Sequence, residues 1–127
     1  MSKPISSSDA AKPVASYSQA VAAGDLVFVS GQIPQNPESG ELISHSIEAA
    51  TEQSLRNVQR ILESAELEFR HVVKASVFLV NTEDYAGMDA TYKSIMTEPF
   101  PAREAFFVAG LPKNARIEIS VIAHVQI

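Results

Sequence analysis

A chain of 127 residues has the size of one ordinary domain, long enough to bury a core and too short for two. With 46% hydrophobic and 20% charged residues it reads as a folded chain rather than a disordered one. A formal net charge of -5 without a Lys/Arg cluster argues against nucleic acid as a partner, and the absence of cysteine excludes disulfides, thiolate nucleophiles and Cys-based zinc sites.

The opening MSKPISSSDAAKP has no apolar stretch after its lysine, and no run approaches the ~20 apolar residues of a membrane span. Neither export nor membrane insertion is expected, and the cytosol is the default compartment. Residues 1–14 are small, polar and Pro-bearing, and read as a flexible lead-in that joins the fold late. SQAVAAGDLVFVSGQI then sets two apolar runs around an AAGD turn, a β-hairpin. PQNPESGE follows as a loop.

From Ser46 to about Ala65, Ile47, Ala50, Ser54, Val58, Ile61 and Ala65 recur at steps of three and four. Glu48, Glu52, Arg56, Gln59 and Glu63 occupy the other side, so an amphipathic helix is expected with Ser46 as N-cap. HVVKASVFLVN reads as a strand with two largely apolar faces. Asn81 with Asp84 three residues on resembles a capping box for a second helix, in which Tyr85, Met88, Tyr92 and Ile95 keep helical spacing to about Met96.

Two more strands are expected over residues 103–109 and 116–127, around GLPKNA. In the last, Ile117, Ile119, Val121, Ala123, Val125 and Ile127 alternate with Arg116, Glu118, Ser120 and His124. The order is β-β-α-β-α-β-β. Two helices can cover only one face of such a sheet, so the apolar residues on the other face call for another layer, most simply a second copy of the chain.

His45, His71 and His124 are isolated and lack the spacing of a metal site, so each reads as a surface or interface residue and no metal is expected. No glycine-rich phosphate motif is present. Charges remain near the starts of the last two strands, Arg103 and Glu118. A salt bridge between paired strands is one reading. The other is that Arg103 binds a small carboxylate through its planar fork while Glu118 holds or activates water.

PAREAFFVAGLPKNARIEI resembles the signature of the Rid proteins, also called the YjgF group, in which Pro-x-Arg is followed at fixed distance by Leu-Pro and an apolar-Glu-apolar triplet. YSQAV and VFVSGQIP resemble two further stretches of that family, and the likeness runs from about residue 11 to the C-terminus. It divides the chain into a lead-in, 1–10, and a single domain, 11–127.

The resemblance implies a chorismate-mutase-like α+β fold, a homotrimer with ligand clefts between subunits, and no metal or organic cofactor. The implied activity is hydrolysis of enamines and imines such as 2-aminoacrylate and 2-iminopropanoate to 2-oxo acids and ammonia. By the same resemblance Arg103 clamps the substrate carboxylate, Glu118 positions or activates water, Tyr17 helps close the cleft, Ser30 and the Gly31 backbone line it, and Asp89 belongs to the substrate site. A non-catalytic trimer that binds 2-oxo acids in the same cleft is the alternative, and the acidic charge disfavours endoribonuclease activity.

The chain departs from the commoner family pattern at Ala15 and Ser16 for Gly-Pro, Asp89 for Asn, Glu104 for a small residue and Ala105 for Cys. Imine hydrolysis needs no thiol. A carboxylate at Asp89 or Glu104 would repel an anionic substrate and compete for Arg103 if it faced the cleft, and strand alternation turns Glu104 away.

Overall fold

A computed structural model describes residues 2–126. Six strands form one sheet in the order β1-β2-β3-β6-β4-β5, with two helices. These are β1 (Lys3–Ile5), β2 (Ala20–Ala23), β3 (Leu26–Gln32), α1 (Ile47–Ser64), β4 (Val72–Leu79), α2 (Tyr85–Ile95), β5 (Ala102–Phe107) and β6 (Ile117–His124). All neighbours are antiparallel except β4 and β5.

The β2–β3 hairpin turns on Gly24 and Asp25, with Gly24 at φ +60, a conformation that costs glycine little. After β3 the chain cannot return directly as a parallel neighbour, so it crosses over through α1 to reach β4. β6 then fills the gap between β3 and β4, and α2 carries the second crossover to β5. No described helix is long and apolar enough to cross a membrane.

The expected stripe of α1 packs on the sheet: Ala50, Val58 and Ile61 are fully buried. The stripe is wider than the sequence reading, because Leu55 and Leu62 are buried beside it. Ser46 caps the helix, its Oγ accepting from Ala49 N at 3.0 Å. Against this layer the sheet presents Val27, Val29, Ala75, Val77, Leu79, Ile117, Ile119 and Val121, all buried. The alternation of β6 places Ile117 to Ala123 inward as expected.

Four expectations need correction. Residues 3–5, assigned to the lead-in, pair with β2 as an edge strand, and Ala10 is buried. The segment is held by Gln19, whose Nε2 donates to Ser7 O and Ala11 O while its Oε1 accepts from Ser7 N. Asn81 does not cap α2. Thr82–Asp84 makes a 3-10 turn first, and Asp84 is taken by Arg116. β6 ends at His124, leaving Val125 exposed; Ile127 lies outside the described residues. His71 is buried rather than superficial, and its Nδ1 accepts from Glu68 N to close a local turn.

The sheet face away from the helices carries Phe28, Phe78, Phe106 and Ile122 together with Lys74, Ser76, Glu104 and Ser120, as the strand registers require. Phe78 and Phe106 stack with ring centres 5.9 Å apart, and Phe28 and Phe106 are 41% and 48% exposed. In one chain this apolar surface stays open to water.

Candidate functional site

The sequence reading leaves open whether Arg103 and Glu118 pair directly, and the topology answers it. β5 and β6 are not neighbours, because β4 lies between them. In the registers, Arg103 sits beside Ala75 and Ala75 beside Val121, on the helix-covered face. Glu118 sits beside Phe78 and Phe78 beside Phe106, on the open face. The two charges therefore stand on opposite sides of the sheet and two strand spacings apart, about 10 Å laterally.

Tyr17, Ser30, Gly31 and Glu118 gather around one hollow of about 430 Å³, with Val14 and Pro112 at its walls. Ser30 is fastened there: its Oγ donates to Ser18 O at 2.7 Å and its N to Gln19 O at 2.9 Å. Tyr17 is 42% exposed, and its hydroxyl accepts from Val14 N at 3.4 Å. Gly31 matters for its missing side chain, since a Cβ there would run into the Glu118 carboxylate.

Glu118 has no hydrogen-bond or ionic partner among the described residues. Partial burial alone pushes its pKa above the ordinary carboxylate value, the direction a proton-accepting group needs to work nearer neutral pH.

Arg103 and Asp89 lie in a second hollow of about 330 Å³ with Tyr92, Lys93, Phe100 and Pro101. Arg103 Nη1 donates to Asp89 Oδ1 at 2.8 Å and Nη2 to Tyr85 Oη at 2.9 Å. Its Cζ lies 4.7 Å from the centre of the Tyr92 ring, a cation–π contact. Burial works against the cation, but the hydrogen bond and charge of Asp89, helped by Tyr85, outweigh it and raise the guanidinium pKa. For Tyr92 burial acts in the other direction and raises the phenol pKa, with Arg103 opposing the shift and Asp89 adding to it.

Asp89 thus does compete for Arg103. Glu104 does not, because it faces the open side, where its Oε2 lies 3.2 Å from Lys74 Nζ and accepts from Ser76 Oγ at 3.1 Å.

The roles of Tyr85, Tyr92 and Lys93 around Arg103 escaped the sequence reading, which takes the two tyrosines as part of the apolar stripe of α2. A signal was present: Tyr85, Asp89 and Tyr92 stand at i, i+4 and i+7, one face of a helix that leads into an arginine-bearing strand. Neither hollow contains both charges, and each is open.

Comparison with known proteins matches this architecture. The family model described as Endoribonuclease L-PSP covers residues 7–125. A protein of Lactococcus lactis whose name marks it as a regulator, AldR, is 44% identical over 98% of both chains. The 2-iminobutanoate/2-iminopropanoate deaminase of Escherichia coli is 42% identical over 97% of this chain and 98% of its own. The crystal structure of the YjgF gene product of E. coli superimposes with a TM-score of 0.90 at 39% identity, covering 96% of this chain and 98% of the other. With the motif spacing, the fold and these relatives in agreement, the chain belongs to the endoribonuclease L-PSP family, the YjgF or Rid proteins.

Proposed function

We propose that this protein hydrolyses small 2-imino acids and their enamine tautomers to 2-oxo acids and ammonia, in clefts between the subunits of a homotrimer. The observation that carries the reading is the split site. Arg103 and Glu118 open into separate hollows on opposite faces of one sheet, too far apart for a single small ligand to touch both in one chain. Association that sets the Arg103 hollow of one subunit against the Glu118 hollow of the next would unite them, and would cover the exposed Phe28 and Phe106 in the same step.

In the united cleft Arg103 binds the substrate carboxylate, and Glu118 takes a proton from water as its oxygen adds to the C=N carbon. The proton passes to nitrogen, and the tetrahedral carbinolamine loses ammonia as its hydroxyl proton is transferred to the departing nitrogen, leaving C=O. Tyr17 closes the cleft, and Ser30 and Gly31 form the wall behind Glu118. The deaminase name of the E. coli relative supports this chemistry, and no step calls on a metal or cofactor. The family description mentions endoribonuclease, but a net charge of -5 is a poor match for RNA phosphates.

The regulator name of the L. lactis relative supports a second reading, in which the same cleft binds 2-oxo acids without turnover. One experiment separates the two: generate 2-aminoacrylate with a dehydratase and follow 2-oxo acid release with and without this protein. Acceleration well above buffer is expected; none across several amino-acid-derived imines leaves the binding reading. Light scattering should give three chains per particle, and a monomer at micromolar concentration would remove the intersubunit cleft.

A further inference from the structure

Arg103 is held on three sides before any ligand arrives, by Asp89 at 2.8 Å, Tyr85 at 2.9 Å and the Tyr92 ring. A guanidinium has five N–H groups, so two are engaged here and three remain for a ligand. Asp89 has the complementary surplus. Oδ1 receives Arg103, while Oδ2 has no partner among the described residues, and the half-exposed side chain lines the same hollow. Lys93, one turn further along α2, adds a second cation, so Arg103 and Lys93 against Asp89 leave one net positive charge, suited to one carboxylate.

A carboxylate bound to the remaining Arg103 donors brings the substituent on its α-carbon within a bond or two of the guanidinium, where Asp89 already stands. If that substituent carries N–H, as an imine, enamine or amine does, Oδ2 accepts from it. If it is the carbonyl of a 2-oxo acid, two acceptors face each other and the anion repels the carbonyl dipole.

We propose that Asp89 is a specificity-determining residue of this site, selecting ligands that bear an N–H donor beside the carboxylate over the corresponding 2-oxo acids. This rests on Arg103 as the carboxylate anchor. Hydrolysis replaces the N–H group by a carbonyl oxygen, so Asp89 favours the substrate and loosens the product as it forms. A hydrogen bond to a charged group, made with one ligand and lost with the other, amounts to about 10-fold to 100-fold in affinity.

The test is calorimetric titration of the full-length protein with a matched pair, L-2-aminobutanoate and 2-oxobutanoate, repeated on Asp89→Asn and Asp89→Ala. The wild type should bind the amino acid at least about 10-fold more tightly. Asp89→Asn, whose amide can turn its NH2 toward a carbonyl, should bring the two affinities together mainly by tightening the oxo acid, and should make turnover more sensitive to added 2-oxobutanoate. A wild type that prefers the oxo acid or binds neither ligand, or an Asp89→Asn protein with the wild-type ratio, overturns the proposal.

Failure of the deaminase reading is separate: a wild type with the predicted preference and no imine hydrolysis rejects turnover and leaves the selectivity of Asp89 standing. Retention of 2-oxobutanoate binding by Arg103→Ala would remove the carboxylate anchor and the proposal with it.

Discussion

Two arginine–aspartate pairs in this protein have the same length and opposite surroundings. Arg103 meets Asp89 at 2.8 Å, and Arg116 meets Asp84 at 2.8 Å. The carboxylate of Asp84 is 5% exposed and receives a second guanidinium bond, Nε to Oδ2 at 3.4 Å, while Arg116 Nη1 donates to Ser44 O at 3.1 Å. That pair ties the start of β6 to the turn before α2 and the loop before α1, and its carboxylate has almost no access to water. The Asp89 side chain is 50% exposed, and Arg103 keeps unspent donors above an open hollow. Separation alone does not tell a clamp from a binding site; what decides is how much of each partner's hydrogen-bonding capacity is left over, and whether a ligand can reach it.

The largest effect expected from this contrast is on stability. Arg116→Ala strands the buried Asp84 and should cost about 3–5 kcal/mol in urea unfolding. Arg103→Ala leaves Asp89 to be solvated and should cost less than about 1 kcal/mol. Equal losses would erase the distinction between clamp and site. Arg103→Lys keeps the charge without the planar fork, and should recover little of the 2-oxo acid binding lost in Arg103→Ala.

Next in size is the effect of Glu118→Gln on rate. If the carboxylate works on water, turnover should fall by about 100-fold or more while affinity for 2-oxobutanoate stays near wild type. A fully active Glu118→Gln protein would assign the water step elsewhere.

Gly31→Ala probes the same carboxylate without touching it chemically. The added methyl must push the Glu118 side chain aside, so kcat should drop by about 10-fold or more while the melting temperature hardly moves, because a half-buried side chain can swing away cheaply. Unchanged kcat would mean that the position of Glu118 is not critical.

The smallest effect is on pH dependence. Burial raises the Glu118 pKa above its ordinary value near 4.5, so the folded state holds that proton more tightly than the unfolded chain. Its contribution to stability is therefore most favourable at acid pH and is lost as pH rises from about 4.5 through the folded-state pKa. Glu118→Gln should flatten that part of the stability profile. In kinetics, kcat/KM should fall as pH drops through the same raised pKa, because the base form is the working one. An acid limb no higher than that of a free carboxylate would count against Glu118 as the base.

Much of the fold was legible in the sequence for a local reason. The steps of three and four in α1, the Ser46 cap and the strict alternation of β6 each involve residues within a turn or two of one another, so chain geometry alone writes them into the order of residues. The Pro-x-Arg, Leu-Pro and Glu118 spacing likewise pointed to the family before any contact was known. β1 was missed because three residues between a Ser-rich loop and the chain start carry no periodicity of their own; the free edge of β2 and the Gln19 clip make them a strand.

The Asn81 cap failed for the opposite reason. Its spacing was suitable, but Asp84 found a stronger partner 32 residues away. The site followed the same division. Local order singled out Arg103 and Glu118, and the family resemblance added Tyr17, Ser30, Gly31 and Asp89, while the placement of β6 between β3 and β4, and the parallel entry of β5, put the two principal charges on opposite faces of the sheet. Pairing of strands far apart in the chain depends on which edges remain free once the crossovers have packed, and only the tertiary structure decides that.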